Sequence, residues 1–197
     1  IQADPSKKLI LYAPTWKGSK YSSPDTSLDA YEKMIRTIED HVDTSVYQVF
    51  VKPHQIVYYH IKNTQGVTGQ YIPATVDTNE LLCATDILIS DYSSIYFDYL
   101  VSGKPILFFI PDLANYLSYR GLYFGIDKLP GPIAEDYDQL GGYLRNLEKA
   151  MEPYREVYER EAKWACPKDD GDVCRRLADI VFHGKTGEDC ISCEGNG

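Results

Sequence analysis

Apolar residues in this chain alternate between short continuous runs and longer stretches in which they recur at every third or fourth place. Lys8-Leu9-Ile10-Leu11-Tyr12-Ala13, closed by Pro14, predicts a strand, because a run that is apolar on both faces suits the interior of a parallel sheet. Val46 to Val51 predicts a second strand, ended at Lys52-Pro53-His54 because proline cannot donate to a continuing ladder. Asp86 to Ser90 and Pro105 to Ile110 predict two more, with a weaker strand around Tyr71-Ile72. Leu28, Tyr31, Ile35, Ile38 and Val42 follow Thr26-Ser27-Leu28-Asp29, which has the spacing of a capping box, and predict an amphipathic helix. Thr78 to Leu82 reads as a short helix, and the segment from Asp91 to Val101 has the length of a crossover helix, which makes its flanking strands parallel neighbours. Past Pro111 come an aromatic loop (Tyr119 to Phe124), a rigid Pro130-Gly131-Pro132, and three helical segments. Leu140, Tyr143, Leu144 and Leu147 share a face of the first; Tyr154, Val157 and Tyr158 mark the second; Val173, Leu177, Ile180 and Val181 mark the third.

Strands alternating with helices give the fold class: α/β, a Rossmann-like open parallel sheet with helices on both faces. Residues 1–184 are expected to form one domain and the polar, Gly-rich residues 185–197 a disordered tail. Ligands of such folds bind beyond the carboxyl ends of the strands, so the loops after Ala13, Val51, Ser90 and Ile110 are the informative ones.

Composition narrows the partners. The formal charge is −9 and no block of Lys and Arg interleaves with aromatics, which argues against a nucleic-acid footprint. No run approaches the roughly 18 apolar residues of a membrane span, and the first residues lack the layout of a signal peptide. The chain opens without Met and enters a strand within a few residues, so it reads as part of a longer protein with a partner domain elsewhere. An odd count of five cysteines points to reduced thiols and a cytoplasmic setting. Cys190-Ile191-Ser192-Cys193 has half the spacing of a zinc site, but no second such pair exists, so no metal is expected.

Candidate chemistry gathers in four loops. Asp91-Tyr92-Ser93-Ser94 places two hydroxyls and backbone donors where a helix begins at the sheet's carboxyl edge. Such a place suits a pyrophosphate, while the plainer reading is that Ser93 or Asp91 caps the helix. His54 sits just past a strand's end, where an imidazolium would neutralise a diphosphate leaving group and a neutral ring would hydrogen-bond one of its oxygens. Thr15 and Lys17 lie in the polar loop after Ala13, and Arg120 beside Gly121 in the aromatic loop; both cations are able to pair with phosphate, Arg through two donors. His41, His60 and His183 fall on a helix, in a connecting segment and at a helix end, where structural roles dominate. Neither a Walker loop nor a Gly-rich dinucleotide fingerprint is present.

Together, Leu11-Tyr12-Ala13-Pro14-Thr15-Trp16, Lys52-Pro53-His54, Ala84 to Ser94, Phe97-Asp98-Tyr99, Pro105 to Phe108, Tyr119-Arg120-Gly121 and Pro130-Gly131-Pro132 resemble, in order, the CDP-glycerol glycerophosphotransferase family. That resemblance implies a GT-B architecture of two Rossmann-like domains, of which this chain is similar to the C-terminal, donor-binding half. It implies that His54 lies near the donor pyrophosphate, that Ser93 and Ser94 contact phosphate, and that the base acting on the acceptor belongs to the N-terminal domain. Lys52 stands where the family commonly has Arg, which supplies charge without a bidentate fork. His54 is thus the candidate catalytic residue, and Thr15, Lys17, Lys52, Asp91, Ser93, Ser94, Arg120 and Gly121 the candidate donor-binding ones, with no cofactor. The implied partners are CDP-glycerol or a related CDP-polyol, an N-terminal acceptor domain and a lipid-linked polyol-phosphate acceptor, with the parent protein at the inner face of the membrane. The alternatives are a GT-B glycosyltransferase domain using a sugar nucleotide and a non-catalytic nucleotide-binding module.

Overall fold

The computed structural model describes residues 3–16, 18–20, 23–24, 27–63, 67–119, 121 and 125–185. In chain order the elements are β1 (Lys8–Ala13), β2 (Gly18–Lys20), β3 (Ser23–Pro24), α1 (Asp29–Glu39), β4 (Tyr47–Val51), α2 (Gln55–Ile61), α3 (Thr78–Ala84) and β5 (Ile87–Ser90). They continue with α4 (Ile95–Leu100), β6 (Ile106–Phe109), α5 (Leu113–Tyr119), β7 (Ile133–Ala134), α6 (Tyr137–Arg145), α7 (Leu147–Met151), α8 (Arg155–Ala165) and α9 (Val173–His183). Five of the strands form one sheet in the order β4-β1-β5-β6-β7, every neighbouring pair parallel, and β2 pairs with β3 as a small antiparallel ribbon. The chain therefore starts mid-sheet, winds outward to β4, crosses back over β1 to β5, and then winds the other way.

Alternation along the strands divides the core in two. Ile10 and Tyr12 of β1 face the same side as Ile87 and Ile89 of β5, where Met34 and Ile38 of α1, Val57 and Ile61 of α2, and Leu140 of α6 cover them. Leu9, Leu11 and Ala13, with Leu88, Phe108 and Ile110, face the other side beneath Leu81 and Leu82 of α3 and Tyr96, Tyr99 and Leu100 of α4. Burying a Leu or Ile contributes about 1.5–3 kcal/mol, and both faces of the central strands are covered, which is why their runs carry no polar alternation. Gly131 sits where a Cβ would come within 2.0 Å of the Ile106 carbonyl oxygen, so the approach of the β7 segment to β6 requires a residue without a side chain.

Several elements differ from the sequence expectation. The segment 55–61, read as a connection around His60, is α2, and α5 precedes the aromatic loop. Tyr71 makes only an isolated parallel bridge to Val51 instead of a strand. Thr26, the first residue of the expected capping box, lies outside the described residues; the Ser27 hydroxyl accepts from Asp29 N at 3.3 Å, and the N-cap, Leu28, has no side-chain cap bond. Asn146 breaks the first of the three expected helices into α6 and α7. The α9 helix has no buried residue, and Leu177 (59% exposed) and Phe182 (80%) face outward. The predicted tail, with Cys190 and Cys193, lies outside the described residues apart from Lys185; among the described residues no group of three His, Cys, Asp or Glu converges as a metal site.

Candidate functional site

The strand order creates a junction between β1 and β5, which are hydrogen-bonded neighbours whose following helices leave toward opposite faces of the sheet. The loops diverge beyond Ala13 and Ser90, and the gap between them opens at the carboxyl edge. Side chains tie its floor together. The Ser90 hydroxyl donates to the Ala13 carbonyl at 2.9 Å. One layer above, the Asp91 carboxylate accepts from Thr15 N at 2.8 Å and from the Thr15 hydroxyl at 2.8 Å, and also from Ser93 N at 3.2 Å.

The α4 helix beyond this turn is shorter than the 91–101 run predicts, six residues from Ile95 to Leu100. Its N-cap, Ser94, makes no side-chain cap bond; instead the Ser93 hydroxyl accepts from Ile95 N at 3.4 Å. Neither expected cap, Asp91 or Ser93, occupies the N-cap position. In so short a helix the summed dipole is small, so the anion site expected from the sequence would rest on hydroxyls and side-chain donors more than on the helix end.

His54 approaches from the end of β4. It is the N-cap of α2, with its Nδ1 accepting from Ile56 N at 3.3 Å. A ring whose Nδ1 accepts carries its proton on Nε2 when neutral, so the imidazole presents an N–H donor on its far side. Lys52 is half-buried, donates to the Val76 carbonyl at 3.4 Å, and has its ammonium pulled down from the ordinary lysine value by burial, partly offset by Asp77.

Two cavities meet at these residues. One, of about 530 Å³, is lined by Thr15, Asp91, Ser93, Ser94, Gly121 and His54, with Trp16, Tyr92, Phe97, Tyr116 and Leu129 forming an aromatic and apolar wall. Tyr92 and Tyr116 stack within that wall, ring centres 3.6 Å apart and planes 15° apart, and the Tyr92 hydroxyl donates to Asp112 at 3.2 Å. Burial, then the Asp112 charge, holds the Tyr92 phenol far above its ordinary value, so it stays a neutral donor. The other cavity, of about 410 Å³, is more polar and carries Lys52, Thr78, Asn79 and Asp98. His54, Ser93 and Ser94 border both.

The structure thus brings together Thr15, His54, Asp91, Ser93, Ser94 and Gly121, with Lys52 in the adjoining lobe; Lys17 and Arg120 lie outside the described residues. Gly121 takes a left-handed φ of 69°, a conformation that disfavours a side chain even though nothing lies within 4 Å of a Cβ. The other histidines are engaged elsewhere: His41 Nδ1 lies 2.7 Å from the Thr37 carbonyl, His60 Nδ1 2.7 Å from that of Ile56, and His183 pairs with Asp179 at 3.0 Å. The sequence reading missed Tyr92 and Tyr116 as site residues. The spacing of Leu113, Tyr116 and Leu117 is helical and was the available signal for α5.

Comparison with known proteins decides the family. The model of the family described as CDP-Glycerol:Poly(glycerophosphate) glycerophosphotransferase matches residues 1–183. The chain belongs to that family. Among curated relatives, it is 35% identical to the teichoic acid poly(ribitol-phosphate) polymerase of Bacillus spizizenii over 144 residues, 68% of this chain and 22% of the relative. It is 29% identical to the teichoic acid poly(glycerol phosphate) polymerase of Staphylococcus epidermidis over 182 residues, 89% of this chain and 24% of the relative. A solved structure of the wall teichoic acid polymerase TagF superposes with a TM-score of 0.71 at 26% identity, covering 93% of this chain and 44% of that one. A TagF variant soaked with CDPG superposes with a TM-score of 0.69 at 28% identity, covering 93% of this chain and 43% of that one. The chain therefore spans about a quarter of the length of these curated relatives and under half of the TagF chains. Among the described residues no helix is long and apolar enough to cross a membrane.

Proposed function

We propose that this chain is the donor-binding part of a polyol-phosphate transferase, taking CDP-glycerol or a related CDP-polyol and releasing CMP. The observation that carries the reading is the meeting of an aromatic lobe and a polar lobe at His54, Ser93 and Ser94. A cytosine ring suits the aromatic lobe beside Trp16 and the Tyr92–Tyr116 stack, the diphosphate suits the shared ridge, and a polyol suits the polar lobe with Asn79 and Lys52.

In the reaction an acceptor hydroxyl oxygen attacks the polyol-linked phosphorus. A new P–O bond forms, the bond to the bridging oxygen breaks, and the electron pair leaves on CMP. The His54 Nε2–H and the two serine hydroxyls are donors to the oxygens on which that charge grows, and one such donor typically contributes about 3–4 kcal/mol to the barrier reduction. The base that takes the acceptor proton belongs, in this reading, to the N-terminal half of a GT-B enzyme, with residues 1–184 as its C-terminal domain. The lipid-linked acceptor and attachment to the inner membrane face are features of that whole protein. The isolated chain binds donor and transfers nothing.

Calorimetric titration of the 197-residue chain with CDP-glycerol, CDP-ribitol, a UDP-sugar and CMP tests this. Binding of either CDP-polyol, at least about tenfold tighter than the UDP-sugar, is the expected result, a difference of about 1.4 kcal/mol. Preference for the UDP-sugar would favour a glycosyltransferase, and no binding of any nucleotide would remove the donor role. Because relatives named for glycerol phosphate and for ribitol phosphate both match, the ratio between the two CDP-polyols also assigns the cargo.

A further inference from the structure

We propose that Asp91 is a positioning residue that locks the Thr15 segment to the Ser93 turn, fixing the hydroxyl face of the cleft before any ligand arrives. Its carboxylate receives both donors of Thr15, a residue 76 positions away, and the backbone N–H of Ser93 on its own turn. Thr15 and Ser93 are wall residues of the same cavity, so one side chain sets the distance between two parts of one surface. It does so where the sheet itself provides no hydrogen bonds, since the ladder between β1 and β5 ends at the pair Ala13 and Ser90.

Two other roles fit less well. As a helix cap, Asp91 would serve the first turn of α4, but the N-cap is Ser94 and the Ile95 N–H goes to the Ser93 hydroxyl. As a direct ligand, an anionic carboxylate would repel a diphosphate. Asp91 is instead 3% exposed with the Thr15 N–H, the Thr15 hydroxyl and the Ser93 N–H turned onto its oxygens, which spreads its charge into the protein framework and leaves the Thr15 and Ser93 side of the cleft to the ligand.

The ligand half of this inference rests on the donor-binding reading, so the test has two independent arms on the 197-residue chain. In the first, amide hydrogen exchange is followed without ligand. Asp91→Ala should speed exchange at Thr15 by about tenfold or more, Asp91→Asn by less because its carbonyl oxygen still accepts, and the interior amides of β1 should not change. An unchanged Thr15 amide in Asp91→Ala would overturn the lock. In the second arm, CDP-glycerol affinity should fall about tenfold in Asp91→Ala with partial recovery in Asp91→Asn, while cytidine affinity holds.

Thr15→Val should weaken CDP-glycerol in the wild-type background and cost nothing further on top of Asp91→Ala, since the hydroxyl acts through the carboxylate. Full additivity of the two would overturn the inference by making Thr15 an independent ligand contact. If Asp91→Ala does not fold, Asp91→Asn and Thr15→Val carry the same comparison. If the wild-type chain binds neither CDP-glycerol nor CDP-ribitol, the donor reading falls and the exchange arm alone decides the lock.

Discussion

His54 holds two posts at once, capping α2 through Nδ1 and facing both lobes of the cleft. Substitution separates them. His54→Asn keeps a side-chain oxygen able to accept the Ile56 N–H, so the thermal midpoint should stay near that of the wild type, while affinity for CDP-glycerol falls about ten- to a hundredfold and affinity for CMP falls much less. His54→Ala should lose the same binding and in addition about 1 kcal/mol of capping, read as a lower midpoint. Equal loss for CMP and CDP-glycerol in the Asn variant would take the imidazole off the diphosphate. Much of the candidate cleft was readable at this scale, because His54, Ser93, Ser94 and Thr15, which line it, stand at strand ends that the apolar runs already mark. The bonds of Asp91 were not readable, since a contact across 76 positions leaves no trace in local spacing. The identity of Tyr116 as a wall residue was hidden for a related reason: its stacking on Tyr92 is a tertiary contact between α5 and the turn after β5.

Among the elements, the strands were the most legible and the short helices the least. Runs such as Leu9-Ile10-Leu11 are apolar because both sheet faces are covered, and β1, β4, β5 and β6 fall within a residue or so of those runs. By contrast α2 and α5 have seven residues each, too few to be stable alone, and owe their existence to what they pack against. The two-residue β7 is likewise a product of contact, held where Ile110 N donates to the Ala134 carbonyl at 2.8 Å and where Gly131 lets the backbones approach. Gly131→Ala should therefore be costly although it adds one methyl group. The added carbon would have to displace the Ile106 carbonyl, a change of about 1–3 kcal/mol. Chemical denaturation of the variant checks this, and a stability equal to wild type would mean that the β7 segment moves freely away from β6.

At the scale of the whole molecule, phenol hydroxyls tie α4 and α8 to the turns that lead into β5 and β6. The Tyr158 hydroxyl of α8 donates to the Lys104 carbonyl at 3.0 Å, with that of Leu100 at 3.3 Å, and Tyr99 of α4 donates to the Thr85 carbonyl at 3.2 Å. Burial pushes the phenols of Tyr96 and Tyr158 up to about 12 from the ordinary 10.0. A raised phenol keeps its proton longer in the folded state, so the stability it contributes is complete below pH 10 and is lost as pH rises through about 12. Tyrosinate absorbance and circular dichroism followed together through that range should show these phenols ionising in step with loss of helix. Their ionisation below pH 10 with the fold intact would contradict the assigned burial. The gap beyond Ala13 and Ser90 is a product of winding order, present whatever residues happen to rim it. Under the proposed donor role, a lineage built on it is free to exchange one polyol for another by repainting a few rim positions, with no strand added, removed or reordered.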